Sequence, residues 1–141
     1  MFSHEVHLRV CYADTDQMGY VYYGNYGRFY EIARMEALRS LGFSYKELEA
    51  AGTMMPVYEN KSRYLRPARY DDLLTVKVVL RQPPAVRIVF EYEVYNEGRT
   101  LLNTGETTLV FVNRKSGRPG GAPAELIRML QPFFAAREIP G

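Results

Sequence analysis

The stretch Tyr12–Arg39, YADTDQMGYVYYGNYGRFYEIARMEALR, decides the reading of the fold. Asp14 and Asp16 stand at the end of an alternating apolar segment. Gly19 follows, then an aromatic run, then Gly24-Asn25. From there Tyr26, Phe29, Tyr30, Ala33, Ala37 and Leu41 recur at spacings of three and four. That period makes one broad apolar face of a helix over Tyr26–Leu41. Asn25 is placed to cap its start and Gly42 to end it in the left-handed conformation. Arg28, Glu31 and Arg39 fall elsewhere on the wheel, with Glu31 free to pair with Arg28 or Arg34. Glu36 lies beside Phe29 and Ile32 on the apolar arc, so it should be buried and paired, with an Arg of another strand.

Upstream, Glu5–Tyr12 alternates as a half-buried strand does. Val6, Leu8, Val10 and Tyr12 share one face, and His7, Arg9 and Cys11 the other. Downstream, Ser44 opens a short helix that stops at Gly52. Strands are expected near Met55–Leu65, Leu73–Arg81, Arg87–Asn96 and Leu102–Asn113. Pro67, Asp71-Asp72, Pro83-Pro84, Glu97-Gly98 and Ser116-Gly117 punctuate them. Glu125–Phe134 reads as a C-terminal helix. The order is strand, long helix, then four strands, an α+β chain in one domain over 1–141. One helix covers only one face of a five-stranded sheet. The uncovered edge calls for self-association as a homodimer or a dimer of dimers.

Composition bounds the function. The formal charge of +2 is too small to point to nucleic acid. Twelve Tyr and seven Phe suit half-wet surfaces such as pockets and subunit interfaces. The single cysteine, Cys11, cannot form an internal disulfide, and its strand position implies packing rather than reactivity. With no apolar leader and no spanning segment, a soluble cytoplasmic protein is expected. His4 and His7 project to opposite strand faces and lack companions for a metal site. There is no Walker loop, dinucleotide fingerprint or Gly-x-Ser-x-Gly elbow, so no cofactor is called for.

Asp14 and Asp16 could be simple turn formers. Their apolar and aromatic company, next to a helix start, points instead to chemistry. A partly desolvated carboxylate is a stronger base, and a helix N-terminus offers free N–H groups to a developing oxyanion.

The same stretch resembles the signature of the 4-hydroxybenzoyl-CoA thioesterase-like family of the hot-dog superfamily, and in particular its Tol–Pal-associated acyl-CoA thioesterases. The shared features are Asp14-Thr15-Asp16, Gly19, Val21-Tyr22 and Asn25-Tyr26. A second match is YLRPARYDDLLTV, Tyr64–Val76, and the resemblance spans roughly residues 5–113. It implies a hot-dog fold, an antiparallel five-stranded sheet wrapped around one long helix. It implies acyl-CoA hydrolysis, with coenzyme A as part of the substrate. Asp16 would then be the catalytic carboxylate, attacking the thioester carbonyl or activating a water. Tyr23 takes the second catalytic position. Its phenol is no neutral-pH base, so its backbone N–H matters more, and with the N–H of Gly24 it would hold the oxyanion. Met18, Gly19, Val21, Tyr22, Asn25 and Tyr26 would form the acyl pocket.

Lys61, Arg63, Arg66 and Arg69, and with them Arg81 and Arg87, are candidates for the coenzyme A phosphates. Charges alternating along a strand are also what a wet face looks like. Three other readings remain open: a thioesterase acting on acyl carrier protein, a non-catalytic acyl-CoA-binding module, and a dimeric scaffold that binds a protein.

Overall fold

The computed structural model describes residues 1–135. Five long strands build the sheet: β1 (Phe2–Arg9), β3 (Val57–Tyr64), β4 (Leu73–Leu80), β5 (Arg87–Tyr95) and β6 (Leu101–Asn113). They pair antiparallel in the order β1-β4-β5-β6-β3. Two short strands, β2 (Thr53–Met54) and β7 (Pro119–Gly120), pair with the end of β6. Helix α1 (Tyr26–Ser40) lies in the hollow of the sheet, the hot-dog arrangement. Helix α2 (Tyr45–Ala50) follows, capped by the Ser44 hydroxyl, which accepts from the Glu47 N–H at 3.2 Å. Helices α3 (Ala124–Leu130) and α4 (Pro132–Ala135) end the described chain. Pro132 divides the helix expected over Glu125–Phe134, because its missing N–H cannot continue the ladder. No helix among the described residues is long and apolar enough to cross a membrane.

The core forms where α1 meets the sheet. Phe29, Tyr30, Ala33, Ala37 and Leu38 pack on Val76, Val78, Ile88, Phe90, Tyr92 and Val94. Burying each large side chain contributes roughly 1.5–3 kcal/mol. The closest approach is at Tyr30. Its ring stacks on Tyr92 at 4.1 Å, and its hydroxyl meets Asn103 and the Ser62 hydroxyl. Gly105 makes room for it: a Cβ there would lie 2.6 Å from Tyr30 Cε2 and closer still to the hydroxyl.

Several local expectations change. β1 runs from Phe2 to Arg9, not to Tyr12. Arg9 Nη1 donates to the Asp71 carbonyl (2.8 Å) and Val10 N–H to the Asp72 carbonyl (2.9 Å), and the chain then turns away. Tyr12 is therefore exposed, and Cys11 is exposed in a turn rather than packed in a strand. Gly42 does end α1 with φ +87°. Asn25 makes no side-chain cap, since a 3₁₀ turn over Tyr23–Asn25 leads directly into α1. Glu36 is half-exposed and pairs with Arg39 of its own helix at 3.4 Å. The buried charge of α1 is Arg34, 6% exposed, whose Nη1 donates to the Tyr92 hydroxyl at 3.4 Å.

Candidate active site

The site is built where the chain leaves β1 and enters α1. Asp14 is its anchor and is 5% exposed. One carboxylate oxygen accepts the Cys11 N–H at 2.8 Å, and the other pairs with Arg28 in the first turn of α1. Its carbonyl accepts the Tyr22 N–H and the Asn25 side-chain amide, both at 2.8 Å. The two ends of the loop are thus tied to each other and to the helix.

Asp16 sits in the tight turn that follows. Its Oδ1 accepts the N–H groups of Met18 (2.9 Å) and Tyr20 (3.3 Å). Gly19, at φ +79°, supplies the left-handed residue that this turn needs. Oδ2 has no hydrogen-bond partner among the described residues. Asp16 is therefore both a turn former and a carboxylate with one oxygen free for chemistry.

A cavity of about 290 Å³ opens beside it, lined by Asp16, Tyr20, Val21, Tyr23, Tyr26, Tyr64, Leu65, Arg66 and Pro67. Tyr23 and Gly24 begin the 3₁₀ turn, so their N–H groups have no carbonyl behind them to accept. The first amides used within that turn are those of Asn25 and Tyr26. A Cβ at Gly24 would lie 2.6 Å from the ring of Tyr22, a half-exposed side chain that would have to swing aside. Tyr26 and Tyr64 meet edge to face at 5.4 Å on the cavity wall. Burial, with the nearby Tyr64 and Asp72, pushes the Tyr26 hydroxyl up to about 12.

The residues singled out in the sequence fall into three groups. Asp16, Val21, Tyr23, Tyr26 and Arg66 come together at the cavity. Met18, Gly19, Tyr22 and Asn25 are not among its lining residues; they shape the turn and the loop behind it. The remaining cations are dispersed. Lys61, Arg63 and Arg81 border a depression of about 350 Å³ whose rim also carries Glu91, Glu93 and Glu106. There Arg81 pairs with Glu91 at 2.7 Å, while Lys61 pairs with Glu59 at 3.6 Å. Arg69 lies over the Tyr20 ring and Arg87 over Tyr58. Glu31 is exposed and makes no ion pair among the described residues, because Arg28 is taken by Asp14.

Four cavity residues went unremarked in the sequence reading of the pocket: Tyr20, Tyr64, Leu65 and Pro67. Three of them lie in the Tyr64–Val76 motif. The signal was the break in pattern there, where β3 ends. The N–H groups of Leu65 and Arg66 both turn to the Leu102 carbonyl, at 2.9 and 3.0 Å.

Residues 10–131 match the family described as the Thioesterase-like superfamily. The chain belongs to that superfamily. It is 35% identical over 120 residues to the acyl-CoA thioester hydrolase YbgC of Escherichia coli, covering 85% of this chain and 90% of the relative. It is 30% identical over 112 residues to YneP of Bacillus subtilis, named a putative acyl-CoA thioesterase, covering 79% and 81% of the two. Among solved structures, a DHNA-CoA thioesterase from Staphylococcus aureus superposes with a TM-score of 0.88. That match is 29% identical and covers 99% of this chain and 98% of the other.

Proposed function

We propose that this member of the superfamily is an acyl-CoA thioesterase, hydrolysing an acyl-CoA thioester to a free acid and coenzyme A, the whole chain forming one such domain. The observation that carries this reading is the meeting, at one cavity, of a carboxylate with a free oxygen and the start of a helix. The thioester carbonyl lies at that start. The N–H groups of Tyr23 and Gly24 donate to its oxygen as negative charge develops. Such donors act mainly on the transition state, and losing one costs on the order of a hundredfold in rate. Asp16 takes a proton from the water that attacks the carbonyl carbon, or attacks that carbon itself to give an anhydride that water then cleaves to the free acid; on either route the C–S bond breaks and the thiolate of coenzyme A leaves. The chemistry is within reach of this chain's own groups, because a thiolate is a good leaving group. Arg66, at the cavity rim, takes coenzyme A phosphate.

The working unit is a homodimer or a dimer of dimers. Strand β3 supports this: it is almost wholly exposed along Val57–Tyr64, and one of its edges carries unpaired backbone groups. Cys11, exposed and single, suits a reducing cytoplasm.

A thiol-release assay over a panel of acyl-CoA thioesters tests the reading. Turnover is expected in the wild type and loss of nearly all of it in Asp16→Asn. Hydrolysis that is absent from the wild type, or unchanged in Asp16→Asn, would overturn it.

A further inference from the structure

Asn25 stands where an asparagine usually caps a helix, its oxygen accepting an N–H of the first turn. Here the side chain donates instead. Its Nδ2 meets the Asp14 carbonyl at 2.8 Å, an acceptor that fixes which end of the amide faces it. The same carbonyl takes the Tyr22 N–H at 2.8 Å, and the Asn25 N–H goes to the Tyr22 carbonyl at 2.9 Å. Both ends of the turn, Tyr22 and Asn25, are thus clasped on one oxygen, two residues before Asp16.

The clasp bears on the two amides between those ends. The Tyr22 carbonyl faces the Asn25 N–H, so across a trans peptide the Tyr23 N–H faces the opposite way, out of the turn. The Tyr23 carbonyl accepts the Tyr26 N–H, which turns the Gly24 N–H outward in the same manner. Packing does little to hold this arrangement, since Tyr22 is 45% exposed and Tyr23 63%. Gly24 also gives the peptide beside it unusual freedom to rotate. Hydrogen bonds therefore fix the turn, and the Asn25 side chain ties its far end to the loop that carries Asp16. The Thr15–Val21 bridge and the bond from the Asp16 N–H to the Tyr20 carbonyl (2.8 Å) carry that spacing on to the carboxylate.

We infer that Asn25 is a positioning residue for hydrolysis: by donating its side-chain amide to the Asp14 carbonyl, it holds the outward N–H groups of Tyr23 and Gly24 in place relative to Asp16 before substrate arrives. Asn25 is not among the residues lining the cavity, so it acts through the backbone and not on the acyl group. The inference rests on the thioesterase reading and deepens it by naming the side chain that keeps the oxyanion donors aimed. Donors fixed in advance stabilise the transition state without reorganising, and a turn free to rotate loses that advantage.

Asn25→Ala and Asn25→Ser test it. The serine hydroxyl is too short to reach the Asp14 carbonyl but keeps a polar group at the start of α1. Thiol release is followed with butyryl-, octanoyl- and benzoyl-CoA, well below the thermal midpoint. Both variants should lower kcat roughly ten- to a hundredfold, by the same factor on every acyl group that the wild type turns over. KM should stay within about twofold, as for an interaction felt only in the transition state. The thermal midpoint should fall by only a few degrees, because the Tyr22 N–H still serves the Asp14 carbonyl. An unchanged kcat, or a loss carried by KM, would overturn the inference. So would a loss that differs from one acyl group to another, which would put Asn25 against the acyl chain. A midpoint lower by more than about ten degrees in both variants would make the amide an anchor of the fold and overturn it as well. Asp16→Asn separates the two levels. If the wild type hydrolyses none of the three substrates, or Asp16→Asn leaves hydrolysis unchanged, the thioesterase reading fails and this inference falls with it. If hydrolysis depends on Asp16 but Asn25→Ala and Asn25→Ser keep the wild-type kcat, only the role of Asn25 fails.

Discussion

Asp14 and Arg28 form the ion pair that locks the loop before α1 onto the first turn of the helix. The pair is one-sided. Asp14 is buried, whereas the Arg28 side chain is about half-exposed, so water screens the cation and leaves the carboxylate dependent on it. Asp14→Ala loses this pair and also frees the Cys11 N–H. It should cost about 1–3 kcal/mol of stability, read as a fall in the denaturant midpoint. Arg28→Ala should cost a similar amount by stranding the buried charge. A cost in the pair mutant well below the sum of the two would confirm that they act together.

Asp16→Asn separates chemistry from fold in the opposite sense. The asparagine oxygen can still accept from Met18 and Tyr20, so the turn should hold and the thermal midpoint should stay within a degree or two. Hydrolysis should nonetheless fall by orders of magnitude, since an amide is neither a base nor a nucleophile at neutral pH. A large loss of stability in Asp16→Asn would mean that the carboxylate is a structural group first.

Gly105→Ala should destabilise the protein by about 1–3 kcal/mol through overpacking. The new methyl would overlap the Tyr30 ring, which its stack on Tyr92 and its bonds to Asn103 and Ser62 hold in place. Chemical denaturation of Gly105→Ala beside Gly98→Ala checks the cause, because Gly98 has only an ordinary contact at 3.5 Å.

Alkaline pH should weaken the fold in a defined window. Burial pushes the hydroxyls of Tyr26, Tyr30 and Tyr45 up to about 12, from 10.0 for an exposed phenol. Between those values the unfolded chain has released protons that the folded chain keeps. Stability is therefore complete below about pH 10 and declines as pH rises towards 12. Tyr30→Phe should make that decline shallower, as thermal midpoints measured from pH 8 to 12 would record.

Coenzyme A phosphates give a test of the cations. Arg66→Ala should raise KM for an acyl-CoA by roughly five- to 150-fold and leave an acyl-pantetheine unaffected. Arg63→Ala and Arg81→Ala, at the depression shared with Glu91 and Glu106, should not discriminate between the two substrates. The reverse result would move the phosphate site away from the cavity rim.

The large elements were legible because periodicity records burial. The helix from Tyr26 and the strands near Leu73, Arg87 and Leu102 each present a long apolar face to one core. Short-range polar bonding left weaker traces. Nothing in the spacing of Asn25 says that its amide serves the Asp14 carbonyl instead of capping a helix. Arg34 was read as a surface partner for Glu31, yet it enters the core, where its Nη1 donates to the Tyr92 hydroxyl on the sheet. At the site, Asp16, Tyr23 and Tyr26 stand within eleven residues of one another, so their neighbourhood was visible. The wall from Tyr64 to Pro67 arrives through tertiary pairing with β6, which local spacing does not encode.

Past the last β3 pair, Tyr64 with Asn103, the Leu65–Pro67 wall hangs on two amides sharing the single Leu102 carbonyl, while the Asp14 clasp fixes the loop before α1 at four points. One bank of the cleft is thus set hard and the other is open to revision. Sequence drift along the second bank can retailor what is admitted without retuning the machinery opposite. Libraries aimed at a new acyl preference should begin at Leu65 and Pro67, with the loop from Cys11 to Asn25 left as it stands.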